Sequence, residues 1–149
     1  MIDAPASAGK TFTMCALSVH LRASGKLIVC AASTGIAALL LPGGRTAHSS
    51  FKIPFGDSLI EGSTCNVESE SERAQVLRPA DLTFWDEIPV IYIFAPEALD
   101  LTLKDLRRCN APFGGATVLL SGDWRQAGPV IPFGTPTDVV EAAFISSYL

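Results

Sequence analysis

The sequence contains no long uninterrupted apolar run. Its longest nearly uncharged apolar stretch, residues 27–41, is broken by Ser33, Thr34 and Gly35. Because a membrane-spanning helix needs about 20 consecutive apolar residues, we expect no membrane partner. The first five residues also lack the basic start and apolar run of a secretory signal. These absences predict an intracellular protein.

Metal-ligating patterns are also scarce. The cysteines and histidines are Cys15, Cys30, Cys65, Cys109, His20 and His48. No two cysteines form a CxxC pair, and none stands at metal-ligand spacing from a histidine. We therefore expect no zinc site, and we expect the cysteines to be reduced thiols.

Charged residues are few, at 17%, whereas apolar residues make up 48% of the 149 residues. This composition supports one domain with a buried core and excludes wholesale disorder. The net charge is −4, and the segment from Asp57 to Glu72 contains acids but no Lys or Arg. The acidity belongs to that segment, so charge neither supports nor excludes a nucleic acid as partner.

Short apolar runs alternate with segments of helical periodicity. They predict buried strands at 27–32, 82–85 and 116–120 and helices at 11–24, 36–41, 71–77, 96–108 and 139–147. Residues 43–80 are expected to be a long loop holding the 71–77 helix. Only residues 1–3 remain for a first strand, whose loss would remove a central member of the sheet. The alternation predicts a parallel sheet wrapped by helices, with ligands beyond the carboxyl ends of its strands.

Residues 4–11, APASAGKT, precede a helical pattern and match the phosphate-loop template GxxxxGK[ST] except at Ala4. In such a loop, backbone N–H groups and the positive end of the helix surround the phosphates. Lys10 would neutralise the β- and γ-phosphates, and the Thr11 hydroxyl would hold Mg²⁺. Taken alone, the segment is equally compatible with an ordinary helix N-terminus.

Polar residues also follow the second and third predicted strands. In P-loop ATPases an acid at the position of Asp86 binds the Mg²⁺ hydration shell, and a neighbouring Glu, here Glu87, polarises the attacking water. An isolated acid pair is more often a solvated strand end, but its place after a phosphate loop favours the catalytic interpretation. Gln126 could contact a γ-phosphate or belong to a polar turn around Gly122.

These segments, in this order, resemble the first motor domain of superfamily-one DNA helicases, most closely the PIF-type family, which includes the helicase portions of Helitron transposons. The likeness covers almost the whole chain. It is carried by residues 8–12 (AGKTF), 32–38 (ASTGIAA), 44–51 (GRTAHSSF), 53–54 (IP), 85–87 (WDE), 112–115 (PFGG), 122–126 (GDWRQ) and 129–132 (PVIP). The TAHS and GDxRQ segments do not recur together in P-loop kinases or small GTPases.

The resemblance implies an α/β fold, a P-loop NTPase with a RecA-like parallel sheet and flanking helices. Residues 1–149 would form one motor domain, and the second motor domain would be absent. The implied function is that of an ATP-dependent DNA helicase that uses ATP and Mg²⁺ to move five-prime to three-prime along single-stranded DNA. Such a helicase would act in DNA repair, recombination or telomere maintenance, in the nucleus or the mitochondrion.

The resemblance also assigns roles by matching position. Lys10, Glu87, Arg125 and Gln126 would be catalytic, with Glu87 as base and Gln126 as γ-phosphate sensor. The metal would be held by Thr11 and Asp86. The DNA side would carry Ser33, Thr34, Gly35, His48 and Ser49. The nucleotide would be contacted by Pro5, Ala6, Ser7, Ala8, Gly9, Lys10, Thr11 and Phe12.

The loop departs from the family pattern, Gly-Pro-Gly-Gly-Thr-Gly-Lys-Thr, at Ala4, Ala6, Ser7 and Ala8. A Cβ on a residue with positive φ costs on the order of 1 kcal/mol and crowds the phosphates. If Ala4 or Ser7 adopts that conformation, one or two such costs predict nucleotide affinity weakened by roughly 5- to 30-fold.

Two other classes of function stay open. One is a non-catalytic relic or interaction module that folds without binding nucleotide, which the altered loop favours and the intact Lys10, Asp86 and Glu87 oppose. The other is a P-loop phosphotransferase, which would need an Arg-rich lid where this chain has its acidic 57–72 segment.

Overall fold

The computed structural model describes residues 1–126 and 128–149. Its sheet has five strands in the order β1-β5-β4-β2-β3, and all four strand pairings are parallel. The strands are β1 Ile2–Asp3, β2 Ile28–Ala32, β3 Arg45–Thr46, β4 Leu82–Asp86 and β5 Val118–Gly122. The predicted parallel sheet is therefore present.

Six α-helices connect or flank these strands within the described residues. They are α1 Lys10–Ala23, α2 Gly35–Leu40, α3 Ala47–Phe51, α4 Glu72–Leu77, α5 Phe94–Arg107 and α6 Pro136–Ala142. Four short 3₁₀ turns lie at Gly56–Ser58, Ile88–Val90, Pro112–Gly115 and Phe144–Ser146.

The sheet is buried on both faces, as the continuous apolar character of its central strands requires. Along β4, Phe84 packs in a core with Met14 of α1, whereas the next residue, Trp85, packs in a second core with Leu99 of α5. Alternating side chains of one strand thus supply both cores. Helices α1 and α2 cover one face, and α3, α4 and α5 cover the other.

The parallel arrangement places functional segments at one edge of the sheet. The loop before α1 follows β1, the 33–35 turn follows β2, Asp86 ends β4, and Asp123 follows β5. Because all these strands run in the same direction, their carboxyl ends meet at this edge.

Several predicted boundaries were wrong. The third predicted strand begins two residues later, at Val118, and the 139–147 helix is instead α6 followed by a 3₁₀ turn. The predicted 43–80 loop also contains β3 and α3, which are too short to show a period in sequence.

The strand before the phosphate loop is present, although short. Ile2 and Asp3 pair with Ser121 and Gly122 of β5. The expectation that this strand would be a central member of the sheet was wrong, because β1 lies at an edge of the five strands.

No helix in the described ranges is both long and apolar enough to cross a membrane. All four cysteines are free thiols, which confirms the prediction for them.

Candidate functional site

The phosphate-loop segment connects β1 to α1 and wraps around the Lys10 side chain. Gly9 has a φ of 88°, a left-handed conformation that glycine adopts without strain, and it caps the start of α1. The Lys10 ammonium is buried and donates to the carbonyls of Ala4 (2.6 Å) and Pro5 (3.1 Å). These bonds leave one of its three donors available for a phosphate oxygen.

Ser7 is the strained residue of this loop. Its φ is +63°, whereas Ala4 is not among the residues with positive φ. Of the four residues that depart from the family pattern, only Ser7 has a positive φ and therefore carries a backbone penalty. Because this conformation is already part of the fold, its cost of about 1 kcal/mol lowers the stability of the chain, and the weakening of nucleotide affinity by roughly 5- to 30-fold stays a prediction.

Replacing Ser7 by Gly should therefore stabilise the fold by about 1 kcal/mol, because glycine adopts positive φ without a Cβ clash. Urea unfolding would measure the gain. Ala4→Gly is the matched control, and it should give no gain because its φ is already ordinary. Equal effects of the two variants would contradict a penalty specific to Ser7.

The acidic pair, Asp86 and Glu87, lies at the carboxyl end of β4 and faces the start of α1. Asp86 is 2% exposed; its Oδ2 accepts from the Thr11 hydroxyl at 3.5 Å, and its Oδ1 accepts from the Glu87 backbone N–H at 3.0 Å. A hydroxyl and a carboxylate are hard oxygen ligands of the kind that Mg²⁺ prefers. Thr11 and Asp86 therefore fit the metal-binding role predicted for them.

Glu87 is half-buried beside Asp86 and has a left-handed backbone, with a φ of 56°. Burial is the main cause that raises the pKa of its carboxyl, and the charges of Asp86 and Asp123 add to the effect, while Lys10 opposes it. A carboxylate with a raised pKa is a stronger proton acceptor, which suits a general base.

Asp123 joins the loop after β5 to the phosphate loop. It is 6% exposed, and its Oδ2 accepts from the Ala6 backbone N–H at 3.1 Å and from the Gln126 side-chain amide at 3.2 Å. Its Oδ1 accepts from the Arg125 backbone N–H at 3.1 Å. This carboxylate therefore orients both the loop and the predicted γ-phosphate sensor.

In the sequence, Asp123 was recognised only as part of the 122–126 segment (GDWRQ), and no role was predicted for it. The available signal was its position directly after the third strand, at the edge where ligands bind.

These residues surround a cavity of about 320 Å³. It is lined by Ala6, Ser7, Gly9, Lys10, Thr11, Phe12, Glu87 and Gln126. Of the other predicted residues, Pro5, Ala8 and Arg125 do not line it, and Arg125 is exposed. Asp86 lies behind Thr11 and reaches the cavity through that hydroxyl.

The residues predicted for the DNA side occupy two places. In the turn after β2, the Ser33 hydroxyl accepts from Trp85 Nε1 (3.1 Å) and donates to the Asp86 carbonyl (3.3 Å), so it links β2 to β4. Thr34 and Gly35 are exposed at the start of α2, and the Thr34 hydroxyl caps that helix.

His48 and Ser49 lie on α3, beside a groove of about 400 Å³. The His48 ring stacks on Phe55, with centroids 4.6 Å apart, and burial lowers the pKa of His48. Lys52 and Ser49 also line the groove. The sequence reasoning missed Phe55, which directly follows the quoted Ile-Pro pair and is exposed despite its size.

Comparison with known proteins gives a match to the family model described as PIF1-like helicase, over residues 2–149. The chain is 33% identical over 125 residues to the ATP-dependent DNA helicase Pif1 of Psychrobacter sp., covering 84% of this chain and 19% of that protein. It is 34% identical over 130 residues to the ATP-dependent DNA helicase PIF4 of Trypanosoma brucei brucei, covering 84% of this chain and 16% of that protein. The chain thus spans a small part of the length of these curated relatives.

Solved structures of Pif1 helicases have the same fold as this chain. Bacteroides Pif1 in complex with ADP-AlF3 and single-stranded DNA superposes with a TM-score of 0.81 at 28% identity, covering 99% of this chain and 34% of that one. Bacteroides Pif1 bound to single-stranded DNA gives a TM-score of 0.75 at 31% identity, covering 94% and 31%. The predicted α/β fold with a parallel sheet and flanking helices is confirmed. The chain belongs to the PIF1-like helicase family.

Proposed function

We propose that residues 1–149 form a RecA-like motor domain of an ATP-dependent DNA helicase, which binds and hydrolyses ATP to drive unwinding with five-prime to three-prime polarity. The observation that carries this proposal is the convergence of Lys10, Thr11, Glu87 and Gln126 on one cavity, with Asp86 behind Thr11. The names of the relatives, ATP-dependent DNA helicases, support it.

The phosphates of ATP would lie against the loop at the start of α1. Lys10 would donate its remaining N–H to a phosphate oxygen, and the backbone N–H groups at the start of α1 would add to the positive field. Thr11 and Asp86 would hold Mg²⁺, which would neutralise charge on the β- and γ-phosphates.

Hydrolysis needs a base and a contact to the γ-phosphate. Glu87 would accept a proton from the attacking water, and its raised pKa makes it a better acceptor. The Gln126 amide would bond to the γ-phosphate; it is held from behind by Asp123. Arg125 is exposed, so its role in this proposal would be toward a second motor domain rather than the cavity.

Single-stranded DNA would be the second ligand. Thr34, Gly35, His48 and Ser49 would contact it, and the His48–Phe55 pair offers an aromatic surface on which a base could stack. Burial lowers the pKa of His48, which favours the neutral ring and hence stacking over phosphate binding. DNA as a partner implies an intracellular setting, in the nucleus or the mitochondrion.

A second motor domain would be needed for stepping along DNA. By itself, the 149-residue chain is expected to bind Mg·ATP weakly, to hydrolyse it very slowly and not to unwind duplexes. Measurable unwinding by this purified chain would contradict that expectation.

The direct test is titration of the chain and of its Lys10→Ala variant with a fluorescent ATP analogue and Mg²⁺. The variant should lose affinity by about tenfold or more, because a charge-assisted hydrogen bond to phosphate is removed. Lys26→Ala is the matched control, since Lys26 is exposed and pairs with Asp81 away from the cavity. Absence of binding by a folded wild-type chain would overturn the proposal in favour of a non-catalytic relic.

The DNA contact has its own test. His48→Ala should weaken binding of a labelled oligothymidine by about tenfold, the effect of losing one base–aromatic stack. Fluorescence anisotropy at fixed salt would measure it. His20→Ala is the control, because His20 is exposed on α1, away from the groove. Equal affinities of the two variants would show that bases do not stack at His48.

A further inference from the structure

A cavity at the edge of the sheet opposite the phosphate loop is lined by three arginines. Its volume is about 530 Å³, and we call it the arginine cavity. It is lined by Glu70, Arg78, Leu106, Arg107, Arg108 and Gly114. Arg78 precedes β4, Gly114 precedes β5, and Leu106 lies in the last turn of α5, so the cavity sits at the amino-terminal ends of the strands. Nothing in the proposed hydrolysis uses it.

Two of its arginines hold each other in place through the backbone. Arg78 donates from Nε to the Leu106 carbonyl (3.1 Å) and from Nη2 to the Ser69 carbonyl (2.7 Å). Arg107 donates from Nη1 to the carbonyl of Arg78 and from Nε to the Gly114 carbonyl (2.9 Å). Each guanidinium is thereby anchored to the segment that carries the other.

This arrangement keeps two positive charges close together without an ionic partner. All the bonds of Arg78 and Arg107 go to carbonyl oxygens, and the two ion pairs found among residues 1–126 and 128–149 are Lys26–Asp81 and Lys104–Asp100. Glu70 is the one acid that lines the cavity, and it forms no ion pair there within the described residues. Anchored like charges repel, and a bound anion would relieve that repulsion.

Hydrogen-bond donors remain available for such an anion. Nη1 of Arg78 and Nη2 of Arg107 make no bond in the described residues. Arg108, directly after α5, is exposed with a φ of 50°, and its side chain makes no hydrogen bond within the described residues. The planar guanidinium forks match the oxygens of phosphate groups.

We propose that the arginine cavity is a binding site for a phosphate-class oxyanion, separate from the nucleotide site. Arg78 and Arg107 provide a rigid pair of donors, and Arg108 closes on the anion from the end of α5. The anion is either a free phosphate compound or a phosphodiester of a nucleic-acid backbone, two sources with the same chemistry.

The test titrates pyrophosphate into the Lys10→Ala variant, so that the phosphate loop does not compete with the arginine cavity for the probe. The titration is followed by nuclear magnetic resonance. Binding should shift the Nε–Hε signals of Arg78 and Arg107. Adding Arg108→Gln should weaken binding by about tenfold, the scale of one charge-assisted hydrogen bond. Arg108 is the residue to change because Arg78 and Arg107 also support the fold.

Arg45→Gln is the matched control, since Arg45 is an exposed arginine on β3, remote from the cavity. Equal weakening by both substitutions, or saturating pyrophosphate without shifts of Arg78 and Arg107, would overturn the proposal. A repeat with single-stranded DNA identifies the source. Shifts of the same signals assign the site to a phosphodiester, and shifts with pyrophosphate alone assign it to a free phosphate compound.

Discussion

Asp100→Ala should lower the free energy of unfolding by about 3 kcal/mol, because it removes the acceptor from a buried hydrogen-bond network. Asp100 is 0% exposed on α5. Its Oδ1 accepts from the Phe113 backbone N–H at 2.6 Å, and its Oδ2 accepts from Lys104 Nζ at 2.6 Å and from the Tyr148 hydroxyl at 2.9 Å.

The three donors contribute unequally. The Phe113 N–H is buried, so leaving it without an acceptor carries the full desolvation penalty. Its bond to Asp100 also anchors the 3₁₀ turn before β5. Lys104 is partly exposed and Tyr148 is exposed, so water can replace much of what they lose. Tyr148→Phe should therefore cost well under half of the Asp100→Ala effect, roughly 1 kcal/mol or less.

Urea unfolding measures all of these variants. Asp105→Ala is the control, because Asp105 is an exposed acid on the same helix and its removal should stay within about 0.5 kcal/mol. If Asp100→Ala and Asp105→Ala unfold at the same urea concentration, the network does not stabilise the fold.

Asp123→Asn should slow ATP hydrolysis by about a hundredfold in single-turnover measurements, the scale of an effect from misplaced reacting groups. Both oxygens of the carboxylate accept bonds, two on Oδ2 and one on Oδ1. An asparagine presents an NH₂ group on one side, which must face an N–H donor. Either the Ala6 and Gln126 bonds or the Arg125 bond is then lost.

Affinity for nucleotides distinguishes a positioning role from a loss of the whole site. Because Gln126 is expected to contact the γ-phosphate, Asp123→Asn should weaken ATP binding more than ADP binding. Asp57→Asn is the control for charge, since Asp57 is exposed in the acidic segment. Equal losses for ATP and ADP would contradict a role through Gln126.

The pH dependence provides a second readout for Asp123. Glu87 must be deprotonated to act as a base, so hydrolysis should fall as the pH drops through its pKa, which lies above the ordinary value of 4.5. The charge of Asp123 is one cause of that raised pKa. Asp123→Asn should therefore move the acid limb of the profile to lower pH, and an unchanged limb would show that Asp123 has no electrostatic effect on Glu87.

Much of the fold was predictable because its elements have local signals. The apolar run of β2 and the helical period of α1 were found within one residue at each end. Short elements were not predictable: β3 and α3 have two and five residues, fewer than a period needs. The third strand was placed two residues early because the apolar pattern begins before its pairing with β4 does.

The candidate site was predictable to the extent that it follows strand ends. Lys10, Thr11, Asp86, Glu87 and Gln126 were identified from motifs at those ends. The sequence did not show which of the four altered loop residues is strained, because φ depends on how the loop closes around Lys10.

The sequence by itself determined the order of the longer strands and helices along the chain and the chemistry of the residues at the strand ends, because both depend on short stretches of chain. Only the tertiary structure decided which of these residues meet. Asp123 bonds to the N–H of Ala6, 117 residues away, because β1 pairs with β5 rather than with its neighbour in sequence. The hydrogen bonds of Arg78 to the Leu106 carbonyl and of Arg107 to the Arg78 carbonyl likewise form because the end of α5 lies beside the segment that leads into β4. Such contacts follow from the order of strands in the sheet, which no local pattern specifies.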